Sequence, residues 1–420
     1  MLQSAPDSLE LRSSGTPGDH WDAARIVALI ADNLVEIDVA THPQPALALT
    51  WQNDLNGKRW QFTIRRGVKF HDGTAASAAT IAQILGERHS EWIVRSAGDL
   101  LTIESDSPMP SLLAELALPR NAILKRSANG LPVGTGAFRV ADFQPGKSLR
   151  FAANEEGWAG RPFADAVEIE LGRSQRDQAI ALELGKTDLI ESPPQAIVAN
   201  GGSQRVRTSL PVELMALVFP ANSKAQDARV REALALAIDR KPIQSVLLKG
   251  IGEPTASILP NWMTGYSRVF PAPANLQRAK VVLAESRQPA LTVSYDPRDP
   301  QAQLIAERIA LNAREIGITL RVSLSGLADV SLIRIVLPSS DPATSLREAA
   351  RELGLQQPLI HGGSVDDLYQ AERTLLDGHT VIPLFHLPVA NVAGARVRNW
   401  RPGPTGNWNL SDVWLEADSR

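Results

Sequence analysis

The chain has no cysteine among its 420 residues. Disulfide stapling and cysteine metal sites are therefore excluded, while either a reducing or an oxidising compartment remains open. Charge of one sign is also lacking: the formal net charge is -3 and the sequence pI about 6.2. No basic block points to nucleic acid, and no acidic tail to a charged partner. No run of about twenty apolar residues is present that could span a bilayer. Catalytic and metal signatures are missing as well. There is no HExxH, no Cys/His cluster, no Gly-x-Ser-x-Gly, and no GxxxxGK[ST] phosphate loop. The seven histidines, His20, His42, His71, His89, His361, His379 and His386, are scattered. His71-Asp72, Asp106-Ser107 and Asp239-Arg240 lack an oriented base beside a nucleophile. The sequence therefore nominates no catalytic residue, no metal ligand and no cofactor.

What is present is an alternation of strand-like and helix-like segments, in a chain long enough for two or more domains. Leu9–Arg12 reads as a short strand, and Trp21–Leu34 as an apolar-faced helix. Asp22 lies near the start of that helix, where a carboxylate favours unpaired amides. Trp60, Phe62 and Ile64 alternate with Gln61, Thr63 and Arg65, the period of a half-buried strand. Gly67 breaks the run, and His71-Asp72-Gly73-Thr74 reads as a turn. Helices are expected near Ala76–Leu85, at Asp177–Leu184, around Val230–Ile238, at Gln301–Arg314 and at Leu346–Leu353. Strands are expected at Leu291–Tyr295 and Ile318–Val322.

Four ordered segments carry a family resemblance. The first is Trp60-Gln-Phe-Thr-Ile-Arg-Arg-Gly-Val-Lys-Phe-His-Asp-Gly-Thr74. The second is Pro132-Val-Gly-Thr-Gly-Ala-Phe-Arg-Val140, where Gly134 and Gly136 permit a tight approach. The third runs from Asp227 to Arg240. The last comprises Ala371–Leu376, Val381-Ile-Pro-Leu-Phe385 and Asn407-Trp-Asn-Leu-Ser-Asp-Val-Trp414. Together they resemble the peptide/nickel-type extracellular solute-binding proteins, family 5, the capture subunits of ABC importers. The resemblance implies an α/β, periplasmic-binding-protein-like two-lobe fold with an appended small domain, type II and cluster C-like. It implies a first lobe from 1–41, 132–195 and 371–420, a small domain over 42–131 and a second lobe over 196–370. The closing residues 407–414 should pack into the first lobe. It further implies a non-catalytic receptor for a peptide or peptide-like solute, monomeric, partnered by a membrane permease, at the periplasmic or extracellular face. Met1-Leu-Gln-Ser-Ala-Pro does not read as an export signal, so the natural chain is expected to be longer or to begin after one. A cytoplasmic relative, a sensing or regulatory module, and a nickel-complex receptor remain alternatives. An enzyme on the same scaffold lacks a reacting pair.

The departures from the family pattern fall after Arg88 and between Val330 and Tyr369, where the chain is short. The usual ligand-contact pattern is not recoverable there. Candidate ligand-binding residues are accordingly few. Trp21 could cover an apolar ligand group or pack in the core, and His20 could donate a hydrogen bond or face solvent. Trp262, after Pro260-Asn261, could line the ligand site or belong to the core. Asp341 could neutralise a ligand amine or guanidinium, or cap a turn. Glu191, before Pro193-Pro194, could meet a cationic solute or simply face water.

Overall fold

The computed structural model describes residues 1–3, 17–38, 40, 42–128, 130–193, 205–284, 286, 290–324, 328–360, 363–403 and 405–417. The strand expected at Leu9–Arg12 lies outside them. The chain divides into two compact units: Met1–Glu191 with Ser339–Thr344 and Asn391–Arg420, and Ser192–Pro338 with Ser345–Ala390.

The first unit begins with α1 (Pro17–Ile30), four residues before the expected start. Pro17 suits a first helical turn, where its missing N–H costs nothing. Ile26, Val27, Leu29 and Ile30 are buried along α1, and so are Asp22 and Arg25. Asp22 thus lies in the second turn of α1 rather than at its start, and it pairs with Arg25, one turn on.

An antiparallel sheet follows, built from β1 (Ala48–Asn53), β2 (Arg59–Ile64), β3 (Ile93–Ala97) and β4 (Leu100–Glu104) in the order β1-β2-β4-β3. The alternation read from the sequence is real: Trp60, Phe62 and Ile64 are buried and Gln61 and Thr63 are not. Phe62 sits opposite Trp51 on one side and Leu101 on the other. The buried face packs on Ile81, Ile84 and Leu85 of α2 (Ala78–Arg88), capped by Ser77 through Thr80 N. A second, three-stranded antiparallel sheet has β6 (Ser148–Ala153) between β5 (Phe138–Gln144) and β7 (Ala166–Glu170). Phe138, Leu149, Phe151 and Ile169 meet Ile26 and Ile30 of α1 and also Trp400, Trp408 and Leu410. The closing segment thus packs into this unit, except that Trp414 is half exposed. α3 (Gln175–Glu183), capped by Ser174, leads to β8 (Leu189–Ser192).

The second unit is built on β9 (Val206–Val218), β10 (Leu291–Tyr295), β11 (Leu320–Ser323), β12 (Val330–Val336) and β13 (Val381–Ala393), in the order β13-β9-β12-β10-β11. β10 runs parallel to β11 and β12, whereas β9 and β12 are antiparallel. Both faces are covered. Along β9, Met215 and Leu217 join one core, with α4 (Ala228–Ala237) and α5 (Pro300–Glu315); Leu214 and Ala216 join the other, with α6 (Pro342–Glu352) and α7 (Val365–Leu376). Asp227 and Asp299 cap α4 and α5, and Ser364 with Asp367 forms a capping box on α7. Residues 371–390 belong to this second unit, not to the closing part of the first as the boundary at 371 implied. The reason is that Ala371, Leu376 and Val381 share a core with Val212 and Leu346. Only the end of β13 passes into the first unit, where β8 lies alongside it.

The sequence segments around His71 and Gly134 meet at the end of α1. Gly136 N donates to Ile30 O at 2.8 Å, ending the helix on a backbone partner. A Cβ built on Gly134 would lie 2.2 Å from Ile30 O, and one on Gly136 2.6 Å from Ile30 C. Only glycine fits this approach. Gly136→Ala is therefore expected to destabilise the protein by about 3 kcal/mol, read from the urea midpoint. Gly86→Ala, at an exposed position of α2 with no atom near the added carbon, should stabilise it by about 0.5–1 kcal/mol. Equal effects of the two changes would remove the steric account.

Candidate functional site

In the first unit the chemistry concentrates around Arg25. α1 places Arg25 one turn after Trp21, on the same side of the helix. Its guanidinium is buried at 1% exposure. Nη2 donates to Asp22 Oδ1 and, at 2.6 Å, to Glu191 Oε1. The other oxygen of Glu191 accepts Gln3 N at 2.7 Å, while Glu191 N donates to Gln178 Oε1 at 3.0 Å. Trp408 lies beneath the guanidinium, its ring centre 4.4 Å from Cζ. Burial alone would lower the Arg25 pKa; the two carboxylates outweigh it and hold the group above its ordinary value.

The arginine is only half used. Its Nε and Nη1 are buried without an acceptor, and the indole N–H groups of Trp21 and Trp408 are in the same condition. Buried donors left unpaired cost about 1–3 kcal/mol each. A group offering acceptor oxygens is the chemical complement of such a set. The cluster can orient such a group.

Of the residues nominated from the sequence, Glu191 is brought to Arg25, while Trp21, one helical turn before Arg25, and His20 are partly buried. Glu191 is partly exposed, and its carboxylate pairs with Arg25. Asp341 is elsewhere in the unit. Its Oδ2 accepts Thr344 N at 2.8 Å, in the first turn of α6, and its N–H donates to Ser339 Oγ at 3.1 Å. It is a helix cap. Neighbouring Ser340 donates to Asp38 O at 3.0 Å.

Trp262 belongs to the second unit. It sits on a single helical turn, Asn261–Thr264, packed against the core of that unit, with Nε1 donating to Pro211 O at 3.4 Å. The segment that carries it is held by Glu372 of α7, a residue missed from the sequence. Glu372 is fully buried and accepts hydrogen bonds from Ile258 N, from Leu259 N at 2.9 Å, and from the Tyr266 hydroxyl. Burial pushes its carboxyl up to about 7, although all three donors pull the other way. His386 Nε2 donates to Ile258 O at 2.9 Å, and burial holds that imidazole down at about 4. The sequence did carry a signal for Glu372. It lies four residues from both Leu368 and Leu376, in the middle of an apolar helical stripe. Arg25 likewise interrupts the apolar face of α1.

Among the described residues no group of three or more His, Asp or Glu is placed to hold a metal ion, and no helix is long and apolar enough to cross a membrane.

Known proteins place the chain. The nickel-binding protein NikA of Staphylococcus aureus is 24% identical over 282 residues, covering 62% of this chain and 57% of that protein. The probable di/tripeptide-binding protein 5 of Pseudomonas aeruginosa is 24% identical over 347 residues, covering 69% and 65%. This chain thus spans less than two thirds of the length of these curated relatives. Among solved structures, S. aureus NikA in complex with Ni(L-His)2 superposes with a TM-score of 0.84 at 18% identity over 99% of both chains. A dipeptide-binding protein from Pseudoalteromonas sp. SM9913 in complex with Met-Leu gives 0.84 at 19% identity, again over 99% of both. These likenesses establish the fold, the periplasmic-binding-protein-like α/β fold that the sequence implied. A family model described as bacterial extracellular solute-binding proteins, family 5 middle, matches residues 42–86 and 95–331, more than half of the chain. The chain therefore belongs to the family 5 bacterial extracellular solute-binding proteins.

Proposed function

We propose that the chain is the solute-binding component of an ABC importer, acting outside the cytoplasmic membrane without catalysis, and that it captures a peptide or peptide-like solute. Family membership supports the receptor role. The observation that carries the choice of solute is the set of buried donors at Arg25, Trp408 and Trp21 that lack acceptors. Arg25 already serves two carboxylates, Asp22 and Glu191, so Nε and Nη1 offer no uncompensated positive charge to a solute. That balance favours an uncharged acceptor, such as an amide carbonyl, over a free anion. Peptides are rich in such groups. Met-Leu and Ni(L-His)2, bound by two structurally similar proteins, share amino-acid chemistry, and a nickel complex of amino acids is the second reading. On this view residues 42–131 form the small appended domain, and one chain suffices for binding. In the first unit His20 and Trp21 add contacts, and Glu191 acts through Arg25; Trp262 is a separate candidate contact in the second unit.

A ligand-free preparation screened by native mass spectrometry should show saturable binding of short peptides. Binding confined to Ni(II) with L-histidine would move the assignment to the second reading, and binding confined to sugars would end both.

Two substitutions locate the contacts. Trp408→Phe keeps a ring beneath Arg25 and removes one donor, and should weaken peptide binding about tenfold, roughly 1.4 kcal/mol. Asp341→Asn keeps a good helix cap, so stability should stay within about 0.5 kcal/mol of the parent. A separate loss of peptide affinity in this variant would give Asp341 a ligand amine, and unchanged affinity would leave it as a cap alone.

A further inference from the structure

Glu372 joins parts of the second unit that are far apart in sequence. Both of its hydrogen-bonded backbone donors, Ile258 N and Leu259 N, precede the turn that bears Trp262, and its third donor, Tyr266, follows it. Ile258 is also gripped from β13, where His386 donates to its carbonyl. The turn between these anchors has a long hydrogen bond of its own, from Trp262 to Pro211 O at 3.4 Å. Glu372 thus helps to hold the segment on both sides of Trp262, which also packs against the core of the unit.

The ionisable groups around the carboxyl are few. Tyr266 faces it from the Trp262 segment. Tyr369, on the same helix, meets the Tyr266 ring edge-on with centroids 5.4 Å apart. His386 approaches the other side of Ile258, and Arg268 adds positive charge near His386. We propose that Glu372 is a positioning residue for solute capture, whose ionisation tightens the 258–266 segment and fixes Trp262. This rests on the receptor reading given above.

The chemistry supplies the direction. As a carboxylate, Glu372 accepts all three bonds, and bonds to an ionised acceptor are about twice as strong as neutral ones. When protonated it gains an O–H, the Tyr266 hydroxyl must turn to accept it, and the two amides face a weaker acceptor. Burial holds the Glu372 carboxyl at about 7 against an ordinary 4.5, so the change falls in the neutral range. His386, held near 4, stays neutral throughout that range. Global stability runs oppositely. A raised carboxyl pKa makes its contribution complete below about 4.5 and loses it as pH rises through about 7. Ionisation therefore tightens one segment while it costs the whole fold.

The test is amide exchange at Ile258 and Leu259 in the ligand-free full chain, from pH 5.5 to 8.5, corrected for intrinsic rates. Protection should rise about tenfold with a midpoint near 7. Glu372→Gln should be flat across the range at the lower level. Its side-chain carbonyl still accepts both amides and Tyr266 can reverse, so it should fold. Tyr266→Phe, which loses a donor to the carboxylate, should shift the midpoint upward. In thermal melts the parent should lose ground to Glu372→Gln as pH rises from 5 to 8. Identical exchange profiles for parent and Glu372→Gln overturn the proposal. The capture role has its own readout. Affinity for a dipeptide should strengthen through the same midpoint in the parent and not in Glu372→Gln. A switching exchange profile with pH-independent dipeptide affinity overturns the capture role and leaves the receptor reading standing. Absence of any solute binding overturns the receptor reading itself, and with it the capture role.

Discussion

The approach of two glycines to the end of α1 is the constraint on which the first unit depends. Gly136 supplies the N–H that ends the helix at Ile30, and no side chain can enter the space between them. His71 then binds the same stretch twice, through its backbone N–H to Gly134 O and through Nε2–H to Gly136 O, both at 2.9 Å. Burial lowers that imidazole's pKa below its ordinary value. Asp32, two residues beyond the helix, accepts from Thr135 at 2.7 Å and from Trp158 at 2.8 Å. Helix, turn and following strand are fixed at one point. The two most recognisable sequence segments are recognisable because they build this junction, and neither contributes reactive chemistry.

Both units place an ionisable group on an apolar helix face and use it to tie remote segments together. Arg25 joins α1 to β8 through Glu191 and rests on Trp408 of the closing segment. Glu372 joins α7 to the segment around Trp262. The solvation each group loses is several kilocalories per mole, and only good pairing restores it. The pairing differs. Arg25 has opposite charges beside it and stays firmly charged. Glu372 has only neutral donors, so its charge is marginal at neutral pH. The first can act as a permanent tie and the second as an adjustable one.

Much of the fold was legible because its elements carry their own periodicity. Trp60, Phe62 and Ile64 alternate as a one-sided strand must, and the 301–314 pattern became α5. β9 was not read. It is buried on both faces, so it lacks alternation, and Pro211 interrupts it. The boundary at 371 failed for a related reason: a helix pattern states which face is buried, not which sheet receives it. The candidate site was less legible still. Glu191 was open between solute contact and water, because its partner, Arg25, is 166 residues away. Asp341 was open between cap and ligand contact, and its local geometry supplies the cap. The charged interruptions at Arg25 and Glu372 were visible as breaks in apolar stripes, but a break alone does not name the partner that compensates it.

The demands of folding and of recognition explain why the family is plain while the solute is not. Folding requires small residues at close approaches, apolar residues on both sheet faces and caps at helix starts. These requirements are local and repeat in any chain with this architecture, so similarity in fold survives at 18–19% identity. Recognition requires donors that the fold leaves unpaired, and unpaired buried donors weaken the free protein. Such groups must be held by others that are satisfied. Arg25 meets both requirements in one side chain: Nη2 is spent on Asp22 and Glu191, while Nε and Nη1 are kept free. On the proposed reading, a solute that completes this set would recover stability that folding gave up, which would couple capture to the order of the first unit.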